Sequence, residues 1–157
     1  MASRFPHRRD PNAENRVSSF ELFYDLVFVF AITQTTHLLI EHLTWLGALQ
    51  SGMILLTVWW AWQYTTWVTN ELNPDAIPVR LVLVAIMLGS LLMSIAIPEA
   101  FGDKAVLFAF SYVFIQVGRH LFLTFIAADP HTVERSRSAH ILSWFSISAV
   151  FWIAGAF

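Results

Sequence analysis

The stretch that decides the fold is Phe20–Ile40, FELFYDLVFVFAITQTTHLLI. It is an unbroken, Phe-rich apolar run long enough to cross a bilayer, since a membrane helix needs about 20 such residues. Two acidic residues, Glu21 and Asp25, lie one helical turn apart near its start. A carboxylate inside a membrane span is costly to bury and marks a pathway, a relay or an ion pair.

The rest of the chain repeats this character. Of 157 residues, 57% are hydrophobic and only 13% charged, with a mean hydropathy of +0.60. A soluble domain carries about 25% charged residues, so the deficit points to a polytopic membrane protein. Seven Trp and fourteen Phe agree with this, because aromatic rings favour membrane interfaces. Cysteine is absent, which excludes disulfides and thiolate metal sites. A net charge of -2 argues against a nucleic-acid partner. The basic start, MASRFPHRRDPNAENR, is not read as a cleaved signal, because the apolar run after it is too long, carries two acids and lacks a small-residue cleavage site.

Five apolar segments stand out, at 20–40, 43–68, 79–97, 105–127 and 139–157, preceded by a basic tail over 1–19. All six prolines fall outside them, as expected if the segments are helices. None shows the alternating polarity of membrane strands, and in lipid the backbone must satisfy its own hydrogen bonds. The expectation is an all-α, multi-pass transmembrane bundle of about five helices. Seven of the nine basic residues lie in the tail (Arg4, Arg8, Arg9, Arg16) or in loops on the same side (Arg80, Arg135, Arg137). The basic-residue bias puts that side, and the N-terminus, in the cytoplasm, and makes the lipid of the inner (plasma) membrane the first partner. The last segment ends with the chain, and the sequence reads as the N-terminal portion of a longer protein.

Polar residues inside the spans form two expected layers. At about 1.5 Å rise per residue, Asp25 lies roughly 8 Å from the cytoplasmic surface and Arg119 roughly 10–12 Å from it. Opposite charges at similar depth are expected partners if their helices touch. Tyr112, Gln116 and Arg119 share one helix face, and Gln63 falls at the same level. These give a candidate buried cluster of Glu21, Asp25, Gln63, Gln116 and Arg119, with His120 nearby. Such a cluster either fixes helix register or serves as a relay or substrate site. An outer layer of Gln34, His37 and Gln50, with Thr33, is expected in the other half. Trp59 and Trp60 are expected to fill the bundle or to form a stacking wall, and Trp67 to anchor at an interface. Small residues four apart (Gly47 and Ser51, Ala85 and Gly89, Ser90 and Ser94) permit close helix approach, inside the monomer or in a homo-oligomer.

No nucleophile motif, Gly-rich phosphate loop or paired-histidine spacing is present, so no catalytic residue, metal or other cofactor is expected, and the chain is not read as an enzyme. SSFELFYDLVFVFAITQTTHLL, WWAWQYTTWVTN and VRLVLVAIMLGSLLMSIAIPEAF together resemble the bacterial low temperature requirement protein A family. The resemblance covers most of residues 17–157. It implies an integral membrane protein linked to growth or stress response at low temperature, without a defined biochemical activity. Transport of a small solute or ion is the mechanism expected first. The rival is a non-transporting membrane stress-response or assembly component.

The topology has a direct check. With no native cysteine, Asn12→Cys introduces a single label site; an impermeant thiol reagent should leave it unmodified in intact cells and modify it after permeabilisation. Labelling in intact cells would reverse the orientation.

Overall fold

A computed structural model describes residues 19–72, 76–127 and 133–157, with the side chains of 19–21, 68–71, 126–127 and 133–135 outside the description. The described chain is helical, without β-strands: α1 Ser19–Glu41, α2 Trp45–Glu71, α3 Ile77–Ala96, α4 Ala105–Phe122 and α5 Val133–Ala154. A short 3-10 turn, Ile97–Glu99, follows α3, and a π-helical turn, Leu123–Ala127, extends α4.

The helix boundaries follow from local chemistry. Pro78 lies inside α3 rather than before it, in the first turn, where a missing N–H costs nothing. Pro98 sits in the 3-10 turn that ends the span. There Lys104 Nζ donates to Glu99 Oε1 at 2.6 Å, while the backbone N–H groups of Gly102 and Lys104 both donate to the Glu99 carbonyl. The single basic residue of the α3–α4 connection thus carries its own counter-ion. The fifth helix begins at Val133, earlier than its apolar run at 139, because a polar, serine-rich turn propagates into it.

Among the described residues, three helices are long and apolar enough to cross a membrane: Leu22–Glu41, Ile77–Glu99 and Ala105–Phe125. The helices α2 and α5, of 27 and 22 residues, have the length but not the mean apolarity. Gln50, Gln63, four threonines and several indoles dilute α2, and histidine, arginine and serines dilute α5.

The helix α3 packs on both α1 and α4, α5 packs on α4, and α2 lies against α1 with a lighter touch on α4. The main core joins α1 to α4 through Phe28, Val58, Ile86, Met93, Tyr112 and Ile115. A smaller cluster of Leu72, Val79, Leu83 and Phe122 closes one end. Outside this core the helices present large apolar side chains, among them Leu26, Leu56, Leu81 and Phe110, each at least 60% exposed. A contiguous surface of that kind suits lipid rather than water.

Close approach of α3 and α4 depends on one glycine. A Cβ at Gly89 would sit 2.9 Å from Phe114 Cδ1 and 3.1 Å from Ile115 Cγ1. Gly47, by contrast, packs against the carbonyl of His42 in its own preceding turn, and a Cβ at Gly52 would meet nothing within 4 Å. Gly89→Leu should therefore destabilise the bundle by about 1–3 kcal/mol through overpacking. Gly52→Ala should be neutral or stabilise by up to about 1 kcal/mol, since alanine is the better helix former. Reversible unfolding in mixed micelles measures both; equal effects would refute the α3–α4 contact as the tight one.

Candidate functional site

The site is built around Arg119, whose side chain is 0% exposed. It projects from α4 toward α2. Nη1 donates to Thr65 Oγ1 at 2.8 Å and, at 3.3 Å, to the Ala61 carbonyl. Nη2 donates to Gln116 Oε1, one turn back on α4. Gln116 Nε2 in turn donates to Tyr112 Oη at 3.0 Å. The guanidinium lies over the Tyr64 ring at 5.3 Å, a cation–π distance.

Every one of these partners is neutral. A charged side chain at the centre of a membrane helix costs about 2.5–3.5 kcal/mol on insertion scales. Hydrogen bonds to charged groups contribute about 1.5–3 kcal/mol each, so this shell can hold the cation. It does not neutralise it. No carboxylate pairs with Arg119 among the described residues.

Around this centre several buried polar atoms have no hydrogen-bond partner among the described residues: Arg119 Nε, Thr124 Oγ1 and both ring nitrogens of His120. His120 is 3% exposed, stacks on Phe145 of α5 at 5.0 Å and meets Tyr64 edge-on at 6.0 Å. Buried polar groups without partners are rare in folded proteins, and each is ordinarily met by an ordered water or tied to a functional role. The π-helical turn starts directly after this group and carries Thr124; such turns recur at functional sites.

Asp25 lies beside this centre rather than in it. Its Oδ1 accepts the Trp62 Nε1–H at 2.8 Å, and it faces outward on α1. Trp62 and Thr65 lie one turn apart on α2, so neighbouring positions of that helix bond Asp25 and Arg119 separately. Gln63 is half-buried and takes no part in the bonds that hold Arg119. Glu21 lies in the first turn of α1 with its side chain outside the described residues.

In the other half of the bundle, Gln34 and Gln50 are half-buried and His37 is exposed, with no hydrogen bond joining the three. Of the two expectations for Trp59 and Trp60, the structure departs from bundle filling. Trp59 and Trp60 do not fill the bundle; they are 49% and 43% exposed, in an aromatic row that continues through Tyr64 to Trp67. Among the described residues no three histidine or acidic side chains converge as metal ligands.

Residue-type reasoning alone missed Thr65, Tyr64, Tyr24 and the Asp25–Trp62 bond. One signal was available. An indole N–H is a donor only, and when its tip is buried it needs an acceptor.

The fold and this centre define a membrane-type helical bundle built around an intramembrane arginine. The profile of the bacterial low temperature requirement A protein family matches residues 16–157, and the chain belongs to that family. It is 36% identical to an uncharacterized protein of Rhizobium meliloti (strain 1021) over 157 residues, which cover 99% of this chain and 38% of that relative. The chain thus spans well under half the length of the relative. No solved structure matches.

Two double-mutant cycles test the geometry. Thr65→Val with Arg119→Gln should show a coupling of about 0.5–3 kcal/mol, because the residues touch, while Asp25→Asn with Arg119→Gln should add within about 0.5 kcal/mol. Unfolding free energies of the three single and two double variants supply the comparison. The reverse pattern would mean that Asp25, not Thr65, partners the guanidinium.

Proposed function

We propose that the chain is the membrane-embedded part of a multi-pass inner-membrane protein that moves a small solute or ion, in support of growth at low temperature. In this reading all five helices cross the bilayer, with the N-terminus cytoplasmic, and the protein is not an enzyme. The observation that carries it is Arg119: a fully buried cation on a helix apolar enough to span a membrane, held by neutral partners and set beside polar atoms that have no partner among the described residues. Ionisable groups inside a membrane domain are costly to keep, and their usual use is in substrate and ion pathways. The polar shares of α2 and α5 support the same reading, since helices that line a polar route need less apolar surface than helices that face lipid throughout.

A second reading is a non-transporting stress-response or assembly component. It is favoured by the direction of the Arg119 bonds, which run to α2 at Ala61 and Thr65 and so fix one helix against another.

The two readings separate with the full-length protein. Under the transport reading, purified protein in proteoliposomes carries a measurable solute or ion flux. Arg119→Gln abolishes both the flux and cold-growth complementation at unchanged membrane abundance. Under the second reading, Arg119→Gln lowers abundance, and growth per folded molecule stays at the wild-type level. Wild-type flux from a well-folded Arg119→Gln protein would end the assignment of Arg119 to the pathway.

A further inference from the structure

The surface between α1 and α2 carries a groove of about 280 Å³ that the Arg119 centre does not use. Phe28 and Val58 form its floor, both almost fully buried. Ile32 and Leu55 stand on its two walls, at 49% and 45% exposure. Trp59 and Trp62 line the α2 side, and the Asp25 carboxylate is the one charged group in the lining among the described residues. Only one oxygen of that carboxylate is bonded among the described residues, to the Trp62 indole.

The lining makes two demands on whatever occupies it. The floor and walls require an apolar body. The carboxylate, several ångströms below the membrane surface by helix rise, requires a positive charge, because an unpaired anion in that setting is costly. A lipid acyl chain meets the first demand only. A hydrated inorganic cation meets the second only. The indoles and the Phe28 ring add a further preference, since aromatic faces attract organic cations, quaternary ones above all.

We propose that this groove binds an amphipathic organic cation, its charge at Asp25 and its apolar body against Phe28, Ile32, Val58 and Trp59. The site lies at the α1–α2 surface beside the Arg119 centre and uses none of the bonds that hold the guanidinium.

The probe is tetraphenylphosphonium, and its control is tetraphenylborate, which has the same size and shape and the opposite charge. The full-length protein in nanodiscs of phosphatidylcholine, assayed by equilibrium dialysis, should bind the phosphonium saturably. The borate should neither bind saturably nor compete. Asp25→Asn keeps an acceptor for the Trp62 indole while removing the charge, and should weaken phosphonium binding by about tenfold or more, the loss of roughly 1.4 kcal/mol. Asp25→Glu should retain binding, and Trp59→Ala should weaken it severalfold. Saturable borate binding of similar strength would overturn the charge assignment. Undiminished phosphonium binding by Asp25→Asn would do the same. No saturable phosphonium binding by the wild-type protein would overturn the site, as expected if another protein segment or a lipid chain fills the groove. The phosphonium–borate comparison uses unmodified protein, so it decides the matter even if an Asp25 variant fails to fold.

Discussion

The buried guanidinium of Arg119 organises the bundle. It is the largest side chain with essentially no exposure, and it sits where α4 meets α2, the lightest of the main helix contacts. That contact is polar where the α3 contacts are chiefly apolar. The α3–α4 interface is set by steric fit at Gly89, whereas α2 and α4 are joined by hydrogen bonds from one cation to a hydroxyl and a backbone carbonyl. The Thr65 hydroxyl donates to the Ala61 carbonyl while accepting from Arg119, so three groups share their polarity within one helical turn. In a low-dielectric interior such linked bonds gain strength, and removing one member exposes the others.

This constraint explains the placement of the surrounding residues. Gln116 orients the far side of the guanidinium and is itself held by Tyr112, so three residues on one face of α4 act as a strut. Tyr64 covers the cation and also meets the Phe145 ring at 5.6 Å, which ties the polar centre to α5. The centre therefore touches α1 through Tyr24, α2 through Thr65 and Tyr64, and α5 through the His120–Phe145 stack. A change of charge or position at Arg119 would be felt by four of the five helices.

Asp25 illustrates a different solution to the same dielectric problem. Its carboxylate is carried on the outward face of α1 and steadied by one indole, beside an apolar groove. The two intramembrane charges are thereby kept apart, one enclosed by neutral partners and one presented to the surface between α1 and α2. An ion pair between them would have cancelled both fields, which is the usual arrangement where charge serves only to lock helices together.

Much of this molecule was legible in its sequence. Apolar run length, proline positions and the lack of alternation specify helices over 19–41, 45–71, 77–96, 105–122 and 133–154 to within a few residues, except at the start of the last. Those features are local, because backbone hydrogen bonding in lipid leaves no other regular option. The i, i+4 spacing of Tyr112 and Gln116 and the neighbouring Arg119 likewise placed three site residues on one face, since a helix alone determines that. The partners across helices were not legible. Whether Arg119 meets Asp25, Gln63 or Thr65 depends on the rotation of α2 about its own axis, and one residue of shift turns that helix by about 100°. Only the tertiary packing of α2 on α1 settles that angle. It turns Thr65 toward the guanidinium and Trp62 toward Asp25, and it leaves Trp59 and Trp60 at the surface, because contacts between distant segments carry no periodic trace in the sequence.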